Sequence, residues 1–424
     1  MTNAWKQLDV AVIGGGLGGL AAGLALRRAG HKVRIYERYD YGGEIGSSIS
    51  VAANGGKWLH EWGVDVKKAK PVILTKLIRH NWESGEIEGV YPFGDYEKLF
   101  GYPYYNVHRK DLHDLLQRVV VSPDGEGTPC ELILKHKAVV VDYETGHIKF
   151  ENGEETSAEL IVAADGIRTT TKAQLGITPT FGTSNSCCYH LLMRRADLIA
   201  NGLTDFSVEK AIEFWGGDDK NKIVLSSCSD GEIISCYCFY AATAADTRDG
   251  WHNSATRDEL FQVLKKNLDP KIADAFAKVS FDIKQWRLYV HEPLPYFYKT
   301  SRKGDVGVCL LGDAAHAMMP DQSQGAVAAF EDAGALGYIF SKEFIENTGV
   351  VPSLAGGLKL YESERMPRVT KIQAASLRAR ENLKERIGWS TDGVDSPDKL
   401  TIEEVCGYEP KTHMDGLARE ILRA

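Results

Sequence analysis

The chain is poor in cysteine. Its 424 residues hold eight, scattered except for the adjacent Cys187 and Cys188 and the CxC of Cys236 and Cys238. That is too few for a disulfide framework, and no CxxC pair offers a redox or zinc motif. The scarcity points to a reducing, cytoplasmic setting and to no metal site. Long apolar runs are missing too. The stretch Val10 to Leu26 comes nearest to a signal peptide, but it is dense with glycine and has no basic region before it. No other segment approaches the ~18 uninterrupted apolar residues that a membrane span needs. Runs of one charge are also absent: 50 basic against 58 acidic residues leave a net charge of -8. Nucleic acid and anionic membranes are therefore poor candidates as partners.

What is present begins with LDVAVI, a short apolar run over 8–13, followed by GGGLGG, the helical period of LAAGLALRRAG and a second strand, HKVRIYE. This is a β-turn-α-β unit and the opening of a parallel sheet. Gly14, Gly16 and Gly19 stand at GxGxxG spacing between strand and helix. The first allows a tight turn, the second lets backbone amides approach a pyrophosphate, and the third lets helix pack on strand. Glu37, at the end of the second strand, stands where a carboxylate would accept hydrogen bonds from a ribose diol. NAD and FAD both use this unit, so the motif alone leaves the choice between them open.

Farther along, DLHDLLQRVVV (111–121) has helical spacing and ELIVAA (159–164) reads as a buried strand. From about 177 to 292 the pattern changes to AIEFW, KIVLSSC and EIISCYCFYA, with one helix expected around Arg257 to Leu268. This reads as an inserted, mainly antiparallel sheet. An apolar strand ending on Asp313 then crosses a loop holding His316 and Pro320 and enters a helix at Gly325. A basic helix is expected over 365–386.

Two segments add a resemblance to the glycine motif. ELIVAADGIRTTTK (159–172) and GVCLLGDAAHAMMPDQSQGAVAAFEDAGAL (307–336) resemble the second and third fingerprints of the single-component flavoprotein aromatic hydroxylases. The likeness is greatest to their salicylate-hydroxylase-like branch, including fungal members. It extends to SSISVAANGGKWLHEWGVD (47–65), NVHRKDLHDLL (106–116) and YESERMPRV (361–369), and thins over 177–292.

The resemblance implies an α/β fold: a Rossmann-like FAD-binding domain over 1–72, 99–178 and 293–385, an inserted antiparallel substrate domain over 73–98 and 179–292, and a helical tail over 386–424. It implies FAD held by Gly14, Gly16, Gly19, Glu37, Arg109, Asp165, Gly166, Asp313, Gly325 and Ala326, with NADPH or NADH as co-substrate. Arg109 would reach the FAD phosphates and Asp313 the sugar-like hydroxyls, while His316 would brace its loop. Pro320 would face the ring system, and the helix from Gly325 would offer its positive end to reduced flavin.

The implied chemistry is hydroxylation of a phenolic or hydroxybenzoate-like ring with NAD(P)H and O2 through a flavin C4a-hydroperoxide, with or without loss of a carboxylate. Substrate activation falls to His190, Tyr189 or Tyr237. Salicylate-type enzymes carry a histidine where this chain has Lys222, a departure that argues against salicylate itself. The expected assembly is a monomer or homodimer. Two readings compete with this one: a non-hydroxylating FAD oxidoreductase, and a catalytically silent flavoprotein that serves as a binding module.

Overall fold

Five parallel strands and one antiparallel edge strand form the first sheet of the computed structural model, in the order Tyr298–Thr300, Gly307–Leu310, Leu160–Ala163, Asp9–Ile13, Lys32–Tyr36 and Glu131–Ile133. The structure describes residues 5–40, 46–178, 181–217, 221–248, 250, 253–391 and 398–422. The sheet's central strands are near-continuous apolar runs because both faces are covered. Helix Leu17–Arg28 lies on one face and packs closely on helix Gly325–Ile339. Small residues make that contact possible: a Cβ at Gly337 would stand 2.8 Å from the Cβ of Ala25, and one at Gly18 would stand 3.1 Å from that of Ala329. The small-residue stripe of the second helix thus serves helix packing along most of its length.

The second sheet has seven strands, ordered Ser280–His291, Phe181–Arg194, Ile233–Ala241, Lys222–Cys228, Ala211–Gly216, Lys76–His80 and Ile87–Pro92. All pairings are antiparallel except that of Lys76–His80 with Ala211–Gly216. Side chains alternate between its faces. Cys187, Tyr189, Leu191 and Met193 point to one side, where helices Arg257–Leu264 and Pro270–Val279 cover them. Cys188, Phe239 and Leu288 point to the other, where Met319 of the first domain's loop meets them. The helix expected around 257–268 ends at Leu264, and a second helix that was not expected follows over Pro270–Val279. Asp269 caps the second: its carboxylate accepts from the Lys271 amide at 2.8 Å, with Pro270 at the first helical position.

Helix Leu354–Glu381 touches both sheets: Tyr361 donates to the Leu310 carbonyl at 2.9 Å, and the Ala379 carbonyl accepts from Lys222 at 2.9 Å. It starts earlier than the basic segment alone suggests, capped by Ser353, whose hydroxyl accepts from the Gly356 amide at 3.1 Å, and it contains Pro367. The closing helix Pro410–Ile421 returns to the first domain, where Asp415 accepts from the Tyr338 hydroxyl at 2.7 Å. Among the described residues no helix is long and apolar enough to cross a membrane, and no cluster of His, Cys, Asp and Glu is suited to a metal ion.

Candidate active site

The site begins where the strand order reverses. Strand Asp9–Ile13 has Lys32–Tyr36 on one side and Leu160–Ala163 on the other, which opens a crevice at the carboxyl ends of the strands. Three adjacent strands deliver Gly14 to Gly16, Asp165 and Asp313 to that edge.

The glycines divide their work. Gly14 has φ +100°, and a Cβ there would stand 2.6 Å from the Ala164 carbonyl oxygen; one at Gly19 would meet the Gly14 oxygen at 1.9 Å. A Cβ on Gly16, Gly166 or Gly325 would meet nothing within 4 Å. Gly14 and Gly19 need glycine for the fold and Gly166, at φ +84°, needs it for its backbone, while Gly16, Gly166 and Gly325 border open space that a ligand can fill. Glu37 stands at the mouth of the turn, accepting from the Gly15 amide at 2.7 Å and from the Tyr39 amide at 2.9 Å. His113, which the sequence did not single out as functional, lies beneath it. Burial lowers the pKa of its ring, and Nε2 donates to the Gly15 carbonyl at 2.8 Å. Its spacing of four from Arg109, one helical turn, was the available signal.

Asp165, Asp313, Arg109 and Lys172 are electrostatic neighbours. Burial raises the Asp165 and Asp313 pKa values, opposed at Asp165 by the Thr169 hydroxyl and at Asp313 by His316, Arg109 and Lys172. Asp313 is exposed to solvent. Asp165 Oδ1 is buried and accepts no hydrogen bond.

Behind this edge lies a buried ionic frame. Asp332 accepts from His316 Nε2 at 2.6 Å, from the Gly312 amide at 2.9 Å and from Arg365 Nε at 2.8 Å. Glu331 binds Arg365 and Arg368, each at 2.7 Å, and accepts from Asn54 at 2.6 Å. His316 is therefore a brace for the loop that presents Asp313.

Open glycine surfaces at the turn, an unpartnered buried carboxylate oxygen and an exposed carboxylate at the strand ends suit a long polyhydroxylated dinucleotide. The comparisons with known proteins agree. Residues 7–376 match the model of a family described as an FAD binding domain. The chain belongs to this family. It is an FAD-dependent monooxygenase, as its relatives are. A hispidin-3-hydroxylase of Neonothopanus nambi is 29% identical across all of this chain and 99% of its own. A 6-hydroxynicotinate 3-monooxygenase of Pseudomonas fluorescens is 25% identical across 87% of this chain and 90% of its own. Among solved structures, CtdE in complex with FAD and a substrate superposes with a TM-score of 0.77 at 18% identity, covering 98% of this chain and 99% of that one. A salicylate hydroxylase substrate complex gives 0.67 at 20%, covering 99% and 96%.

In this flavoprotein the three residues expected to activate substrate separate. Tyr189 stacks on Tyr240, ring centroids 5.5 Å apart, beneath the outer helices and away from the flavin-domain loop. His190 and Tyr237 share the inner face, centroids 4.7 Å apart. His190 is 2% exposed; burial lowers its pKa to about 3, so the ring is neutral, and Nε2 bonds the Ser235 hydroxyl at 3.1 Å. Tyr237 donates to the Ser48 carbonyl at 3.2 Å, and burial pushes its pKa well up. Pro320 opens the short turn Pro320–Gln322 and is exposed; Met319 before it packs with Cys188, Phe239 and Leu288. Sequence reasoning did not find Arg380. Its guanidinium is 4.4 Å from the centroid of the Phe239 ring.

Proposed function

We propose that this monooxygenase hydroxylates a phenolic or hydroxybenzoate-like ring, using NAD(P)H and O2, at the inner face of the seven-stranded sheet beside the Pro320 turn. The observation that carries the reading is the character of that face. Trp286, Tyr237, Phe239, Leu288 and Met319 form an aromatic and apolar wall that would exclude water and hold a flat ring by its faces.

FAD, when bound, would carry the reducing equivalents of NAD(P)H to O2 and so activate the oxygen. Gly14, Gly16, Gly19, Glu37, Arg109, Asp165, Gly166, Asp313, Gly325 and Ala326 would hold it. Arg109 supplies a planar cation for phosphate, and the amides opening helix Gly325–Ile339 supply partial positive charge. The protein's own part is positional. Tyr237, its proton committed to the Ser48 carbonyl, and the neutral His190 shape the far wall and hold the ring at reacting distance. Residues 73–98 and 179–292 would form the substrate domain, with 1–72, 99–178 and 293–385 holding the cofactor and 386–424 closing the back. The chain would act in the cytoplasm as a monomer or homodimer.

The test is purification followed by a screen of phenols and hydroxybenzoates for stimulated NAD(P)H oxidation, with product mass under labelled oxygen. The expected result is a yellow protein and a product heavier by one oxygen atom. A colourless protein that cannot be reconstituted with FAD, or a flavoprotein that no ring compound stimulates, would sink the reading.

A further inference from the structure

Beside the aromatic wall, Lys222 and Arg380 converge on Asp321, the residue that follows Pro320. Lys222 Nζ is 2.5 Å from Asp321 Oδ1, and Arg380 Nη1 is 3.3 Å from the same oxygen. All three are buried, with relative exposures of 1%, 2% and 9%. Both cations are otherwise engaged. Lys222 also donates to the Ala379 carbonyl at 2.9 Å, while Arg380 donates to the Ser186 hydroxyl at 3.3 Å and lies over Phe239. Oδ2, the second carboxylate oxygen, is buried and receives no hydrogen bond.

A buried carboxylate oxygen without a donor is costly, and this one lies at the seam between the sheet and the flavin-side turn, next to the wall that would hold the ring. We propose that Asp321 is the specificity-determining acceptor of this site: Oδ2 takes a hydrogen bond from a hydroxyl on the ring, so the enzyme selects hydroxylated rings and rejects rings that present a carboxylate there. Hydrogen-bond chemistry favours this choice. A ring carboxylate brings no proton for Oδ2, and the two cations beside it are already held by Asp321, the Ala379 carbonyl and the Ser186 hydroxyl. A ring hydroxyl donated to a carboxylate gains electron density, which is what an aromatic ring needs to attack activated oxygen. The proton stays on the hydroxyl. Lys222 and Arg380 are positioning residues, fixing the carboxylate so that only Oδ2 is free. The inference rests on the aromatic-hydroxylase reading and names the substrate class within it.

The test titrates FAD-loaded protein with matched compounds and reads binding from the flavin absorbance. Resorcinol is expected to bind at least about tenfold tighter than 1,3-dimethoxybenzene, and tighter than benzoate, because a site built to bond a hydroxyl rejects analogues lacking it. In the paired variant Lys222→Met with Asp321→Asn, which removes one charge of each sign, the hydroxyl-to-ether ratio should fall to within about threefold. The visible flavin spectrum reports that the variant is folded. Equal binding of ether and phenol by the wild type, tighter binding of benzoate, or an unchanged ratio in the variant would each overturn the assignment and leave the hydroxylase reading intact. The wild-type comparison decides even if the variant does not fold. If FAD-loaded protein responds to no ring of any kind, the hydroxylase reading falls and takes this assignment with it.

Discussion

Replacing Arg365 with methionine removes the guanidinium from between two carboxylates that are fully shielded from solvent. Arg365 is 2.7 Å from Glu331 and 2.8 Å from Asp332, with the three side chains 1% exposed or less. Stripping one partner from a buried pair costs about 3–5 kcal/mol, because a desolvated charge is left behind. Here each carboxylate keeps other donors: Arg368 and Asn54 at Glu331, His316 and the Gly312 amide at Asp332. The loss should therefore fall near the low end, about 3 kcal/mol. Urea unfolding of FAD-loaded protein measures it. FAD affinity should weaken as well, because Asp332 orients Gly312 beside Asp313. A surface comparison, Lys411→Ala, removes pairs with Glu61 and Glu343 that are 29–49% exposed and should cost no more than about 1 kcal/mol. An Arg365→Met loss below about 1 kcal/mol would show that the frame does not depend on its buried charge.

Other outcomes follow from particular groups. Burial would raise the Glu331 and Asp332 pKa values, but Arg368, Arg365 and His316 outweigh it and hold both near about 2, against ordinary values of 4.5 and 3.8; their contribution is complete above about pH 4.5 and lost as pH falls toward 2, which an acid unfolding titration would show. His190, neutral down to about pH 3, is better protonated in the unfolded chain, so it disfavours the fold progressively as pH drops below 6.5. A His190→Gln variant should leave the pH profile of ring-stimulated NAD(P)H oxidation unmoved between pH 5 and 8, and a shifted profile would restore His190 as a proton carrier. Gly16→Val should keep the fold, since a Cβ there meets nothing within 4 Å, yet yield colourless protein on purification. Gly337→Val, forced against Ala25, should instead lower the free energy of unfolding in urea by about 1–3 kcal/mol.

The nucleotide-binding half was legible because its signals are local: a strand, a turn needing glycine and a helix follow within thirty residues, and Asp165 and Asp313 end apolar runs. The second sheet was harder. Strand Ser280–His291 is broken by Asp282 at φ +48° and by a register shift, so its alternation fails in a linear reading. Its partner Phe181–Arg194 carries a second irregularity between Thr183 and Cys187. Tyr189 and His190 are adjacent and equally plausible in sequence, but one residue of phase in a strand sends them to opposite faces. The Lys222–Asp321–Arg380 knot joins three segments far apart in the chain, and Lys222 stood out only as a missing histidine.

The eight thiols that first marked a chain poor in cysteine are all free and all buried. Cys187, Cys188, Cys236 and Cys238 lie in the seven-stranded sheet and Cys309 in the parallel one. Burial raises each of these pKa values, so alkylating reagents reach them only when their own layer opens. The molecule thus carries two sets of clocks, and the rates at which mass-tagged thiols appear, with and without flavin, would tell which half breathes first.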